Sequence, residues 1–66
     1  MTLAQRREIV RRFMEGYSCE GLASDGMLWV TVSLHYGERV TCAESIIRDY
    51  ADGKFTMGRK ARRRTK

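Results

Sequence analysis

Gly26-Met27-Leu28-Trp29-Val30-Thr31-Val32-Ser33-Leu34-His35-Tyr36 is the stretch on which the fold turns. Leu28, Val30, Val32, Leu34 and Tyr36 alternate with Trp29, Thr31, Ser33 and His35, which is the two-residue period of a strand, and the β-branched content agrees. Asp25-Gly26 just before it is a hairpin turn signal, and Tyr36-Gly37-Glu38 can turn into a short third strand at Arg39–Thr41. Periodicity alone therefore gives an α+β arrangement, helix, small antiparallel sheet, helix. Tertiary context often overrides a window of this length.

The flanks read as helices. From Leu3 to Glu15, Ile9, Val10, Phe13 and Met14 form one apolar stripe, with Arg6, Arg7, Arg11 and Arg12 mostly off it. Thr2 and Gln5 have the spacing of a capping box, and Gly16 supplies a helix stop. Glu8 precedes Arg12 by four residues in the favourable orientation, so part of this charge is ordinary helix support. A second helix is predicted over Cys42–Asp52: Thr41 and Glu44 repeat the box spacing, Ala43, Ile46, Ile47, Tyr50 and Ala51 share a face, and Gly53 follows.

The chain has 66 residues, enough for one domain. Its net charge of +5 is unevenly placed. Residues 17–53 hold two basic and six acidic side chains, whereas residues 54–66 hold seven basic and no acidic ones. The body is thus mildly acidic, and the tail is suited to a polyanion such as nucleic acid. The expected organisation is a compact domain over 1–57 and a disordered basic tail over 58–66. No run approaches the length of apolar residues that a membrane span needs. Cys19 and Cys42, with no signal-peptide pattern ahead of them, suit a reducing cytoplasm and read as small apolar residues rather than a disulfide.

Glu8-Ile-Val-Arg-Arg-Phe13-Met-Glu-Gly16-Tyr-Ser18-Cys-Glu-Gly-Leu22-Ala23 resembles the first helix and the start of the second in helix-turn-helix proteins of the resolvase and homeodomain-like group. In that group a helix ends in Gly, an aromatic residue and a Ser cap follow, and Leu/Ile-Ala packs the next helix. Gly26-Met27 followed by Thr31-Val32-Ser33 is similar to the turn and recognition-helix opening of bacterial repressors, and with Gly37 to the tetracycline-repressor type. A second register makes Gly37 the turn glycine and Thr41–Tyr50 the recognition helix, through a Gly37 to Ile46-Ile47-Arg48 spacing. The resemblance implies an all-α, small helix-turn-helix domain, and this is the expected fold class, with the α+β arrangement as its alternative.

Catalysis finds little support, since His35 is the only imidazole and no nucleophile or orienting carboxylate accompanies it. Cys19, Cys42 and His35 lack metal-ligand spacing, so neither metal nor cofactor is expected. The expected function is that of a small nucleic-acid-binding transcription regulator, with DNA preferred over RNA as partner. Helix 27–36 or 42–52 enters a groove, Trp29, Thr31 and Ser33 meet bases, and Arg6, Arg7, Arg11, Arg59, Lys60, Arg62, Arg63, Arg64 and Lys66 neutralise phosphates. Phe55 and Met57 pin the tail to the body or stack on a base, and packing is the preferred reading. The alternative is a compact phage-type regulator whose acidic, aromatic-bearing middle docks on a protein such as RNA polymerase while the tail contacts nucleic acid. Leu28 to Tyr36 has no Lys or Arg, which favours this alternative.

Overall fold

A computed structural model describes residues 1–57, and the described chain is all-α, with helices α1 (Leu3–Met14), α2 (Cys19–Ala23) and α3 (Tyr36–Ala51) and no strand. The helical ends follow local chemistry closely. Thr2 Oγ1 accepts from the Gln5 N–H at 3.2 Å and Gln5 Oε1 accepts from the Thr2 N–H at 2.8 Å, closing the capping box read from the sequence. Gly16 takes φ of 110°. Its N–H donates to Phe13 and the Tyr17 N–H to Arg12, the paired bonds of a Schellman motif. α3 ends the same way, with Gly53 at φ 80°, its N–H on Tyr50 and the Lys54 N–H on Asp49.

The start of α3 differs from the sequence reading. The helix begins at Tyr36, six residues before the expected Cys42, so Arg39–Thr41 is helical and not a strand, and Gly37 lies inside the helix. His35 is the N-cap: its Nδ1 accepts from the Glu38 N–H at 3.4 Å, and Glu38 Oε1 accepts from the His35 N–H at 3.3 Å. The box thus sits at His35/Glu38 and not at Thr41/Glu44. Thr41 instead donates its hydroxyl back to the Gly37 carbonyl at 3.2 Å, a bond available only inside a helix.

Residues 27–36 form neither the strand nor the recognition helix expected of them. Residues 27–35 run as tight turns and then irregular chain, with i to i+3 bonds from Leu28 to Asp25, Trp29 to Gly26 and Val32 to Trp29, and Tyr36 opens α3. Alternation would place Leu28 and Trp29 on opposite faces, yet both are buried, while Val30 is 73% exposed. The physical reason is the shape of the core. Ile9 and Val10 from α1, Leu22 and Ala23 from α2, and Ala43 and Ile46 from α3 leave a space that a turn bearing Leu28 and Trp29 fills from one side. Asp25-Gly26 makes no hairpin: Asp25 Oδ1 accepts from the Met27 N–H at 3.0 Å, an Asx turn.

α2 has five residues and cannot satisfy its own last carbonyls. Distant side chains do so. Trp29 Nε1 donates to the Leu22 carbonyl at 2.9 Å, and Arg39 donates through Nε to Leu34 at 2.9 Å and through an Nη to Ala23 at 3.4 Å. Ser18 caps the other end by accepting from the Gly21 N–H at 3.0 Å. Gly16 thus ends α1, Ser18 caps α2, and Leu22 and Ala23 are buried. Ala51, expected on the apolar stripe of α3, is exposed. Phe55 and Met57 pack against the core as expected, with the Phe55 ring 5.8 Å from that of Tyr50. The expected tail over 58–66 lies outside the described residues.

Candidate nucleic-acid interface

The arginines of α1 divide into two groups. Arg11 is clamped by Glu8 at 2.5 Å and Glu15 at 2.6 Å, and Arg12 by Glu8 at 2.7 Å and by Asp25. The hydrogen bonds from Arg11 and Arg12 hold the Glu8 carboxyl below the usual glutamate range, and the same bonds push both guanidinium pKa values up. Two of the four arginines are thus largely neutralised by neighbours, including Arg11, which the sequence reading assigned to phosphate.

Arg6 and Arg7 have no acidic partner among the described residues. Arg6 is exposed and lines, with Met1, Val32, Cys42 and Asp49 among others, a cavity of ≈ 330 Å³. Arg7 donates its Nε to the Thr56 carbonyl at 2.8 Å. This bond joins residues 49 positions apart in the chain and brings the start of the basic segment alongside the free arginines of α1. Arg59, Lys60, Arg62, Arg63, Arg64 and Lys66 lie outside the described residues.

The expected base-contacting residues do not form one surface. Trp29 is 1% exposed, with its only polar atom bonded to Leu22, so it is a core residue with no ring face to offer a base. Thr31 is exposed, and its Oγ1 accepts from Gln5 Nε2 at 2.7 Å, which fastens the turn to α1. Ser33 is exposed. A groove-reading helix would have to be α3, whose exposed face presents Glu38, Glu44 and Asp52 against Arg48. That face is acidic and repels a phosphate backbone.

Other chemistry has little to build on. His35 spends Nδ1 on its cap, and no group of three or more His, Cys, Asp or Glu side chains converges among the described residues. Cys19 and Cys42 are free and half-buried. Burial pushes both thiols up, helped at Cys19 by Glu44 and Glu20, so they stay protonated and unreactive at neutral pH.

Sequence reasoning missed Arg39 and His35. Arg39 was read as part of a strand, although it links α3 to the end of α2 and to Leu34. His35-x-x-Glu38 has the box spacing, and an imidazole nitrogen accepts a hydrogen bond as a hydroxyl does, so that signal was present. Among the described residues no helix is long and apolar enough to cross a membrane. Compared with protein-family models, curated proteins and solved structures, the chain gives no match to any of them.

Proposed function

We propose that this chain is a small nucleic-acid-binding regulator of transcription that grips the phosphate backbone between Arg6 and Arg7 of α1 and the basic segment Arg59–Lys66. The observation that supports the reading is the Arg7–Thr56 bond, because it brings residue 56, two positions before residue 58 where the undescribed stretch begins, against α1. Contacts of this kind position a protein on a duplex and are indifferent to base identity. Base readout falls to the exposed Thr31, which is bonded to Gln5 of α1, and the exposed Ser33. The helix-turn-helix likeness of residues 8–23 supports placement among transcription proteins.

A salt titration of duplex DNA binding by fluorescence anisotropy tests this. With about four to six phosphate contacts, log K falls against log[salt] with a slope of roughly −4 to −5. Neutralising Arg62, Arg63 and Arg64 together flattens the slope by about 2 to 3 units, and Arg6→Ala by about 1. Unchanged slopes refute the proposal.

The acidic face of α3 favours a second reading, in which the body docks on a basic surface of a protein such as RNA polymerase while the basic segment holds nucleic acid nearby. A salt slope that Arg6→Ala leaves unchanged while neutralising Arg62, Arg63 and Arg64 flattens it selects this reading over the first.

A further inference from the structure

Lys54, the first basic residue after α3, already turns back onto that helix. Its ammonium pairs with Asp49 at 3.6 Å, and its backbone N–H donates to the Asp49 carbonyl at 2.9 Å. The solvent face of α3 holds more acid than this one cation meets. Glu38, Ser45 and Asp52 recur every seven residues, two turns apart, and so line one edge of the helix with Glu44 and Arg48 beside them, all exposed. Glu44 and Asp52 have no ion-pair partner among the described residues, and Glu38 meets only His35, at 3.5 Å. Arg48 alone offsets them on that face, which is therefore net acidic.

The chain itself supplies the complementary charge. Residues 59–66 hold six basic side chains and no acidic one. They follow directly on Thr56, whose carbonyl is bonded to Arg7, and on Met57, which packs against the core. Arg6 and Arg7 have no acidic partner among the described residues, so α1 repels a cationic segment that starts beside it, whereas the face of α3 attracts it. Length sets no obstacle. The nine residues after Met57 span up to ~30 Å when extended, and the 16 residues of α3 rise ~24 Å.

We infer that the acidic face of α3 is the docking site of residues 59–66 of this same chain, in continuation of the Lys54–Asp49 pair, whenever no polyanion occupies them. Each ion pair of this kind is weak and screened by salt, and the tether offsets that weakness by holding the partners at high effective concentration. A phosphate backbone and α3 compete for the same cations. The docking itself needs no nucleic acid, so it stands or falls apart from the function proposed above.

Zero-length carbodiimide coupling of the dilute full chain, without nucleic acid, is the test, read by mass spectrometry of the monomer fraction. Lys54, Lys60 and Lys66 are the only lysines, so each product names its donor. Glu15 serves as the comparison, because it is exposed and stands eight residues from Arg7 on α1. Lys60 and Lys66 are expected to couple to Glu44 and Asp52 at least about fivefold more than to Glu15, and to lose that preference at about 0.5 M salt. Neutralising Arg62, Arg63 and Arg64 together leaves every coupling group in place and is expected to lower the preference about threefold, whereas Arg48→Gln raises it. Amide chemical shifts of residues 44–52 give a second readout, expected to differ between wild type and the triple variant at low salt and to converge at high salt. Coupling spread evenly over Glu15 and α3, a preference that survives high salt, or products confined to a dimer fraction overturns the inference. So do α3 amide shifts that the triple variant leaves unchanged.

Discussion

Trp29 and Leu22 are joined by a hydrogen bond of 2.9 Å inside the core, indole Nε1 to backbone carbonyl. The bond closes off the end of α2 and anchors the turn that follows it. Trp29→Phe keeps most of the ring volume but leaves the carbonyl with one donor fewer, so it should cost about 1–2 kcal/mol. Trp29→Ala adds a cavity and should cost about 3–5 kcal/mol. Urea denaturation of the two variants checks both values, and near-equal losses would mean that the bond, and not the ring, dominates.

Ile46 and Ile47 separate two degrees of burial on one helix. Ile46 is 5% exposed while Ile47 is only partly buried beside it. Ile46→Ala is expected to cost about 2–5 kcal/mol, Ile47→Ala less than Ile46→Ala, and Arg48→Ala within about 0.5 kcal/mol of wild type. Chemical denaturation midpoints at a common m-value rank the three.

Gly16 and Gly26 should respond oppositely to alanine. Gly16 has φ of 110°, where a Cβ is strained, so Gly16→Ala is destabilising by about 1 kcal/mol. Gly26 does not have positive φ and a Cβ there meets nothing within 4 Å, so Gly26→Ala should stabilise by about 0.4–1 kcal/mol through the unfolded chain. Thermal melts of the two variants should shift in opposite directions.

His35 caps α3 at 3.4 Å with a largely exposed ring, a longer bond than a carboxamide cap makes. His35→Asn should raise stability by a few tenths of a kcal/mol, and His35→Ala should lower it by about 0.5–1 kcal/mol. Helix content and melting temperature read the difference.

Glu8 links stability to acid. Its folded pKa is depressed by Arg11 and Arg12, so its contribution is present in full above its unfolded value of about 4.3 and is lost as pH falls from there through the lower folded value. Glu8→Gln should remove that component, giving a shallower loss of stability over that acidic window. Stability curves of wild type and variant between neutral pH and pH 3 compare the slopes.

The two ends of the body were legible because their signals are local. Thr2, Gln5, Gly16 and Gly53 act on backbone groups within one turn, and the stripes of Ile9, Val10, Ala43 and Ile46 need only helical spacing. The cationic segment was likewise plain from counting charge, although the bond between Arg7 and Thr56 was not.

The sequence by itself determined the first helix, the core of the last, their glycine stops and the separation of an acidic body from a basic segment, all of which depend on near neighbours. Only the tertiary structure decided residues 26–41. There a strand-like alternation lost to a core that takes Leu28 and Trp29 side by side, and to α2 carbonyls that need Trp29 and Arg39 as donors. Tertiary structure also decided which arginines stay free, since Asp25, thirteen residues away, claims Arg12, and Thr56 claims only one nitrogen of Arg7. The reason is physical: burial and hydrogen-bond satisfaction are settled between elements, and a two-residue period records only what one element prefers alone.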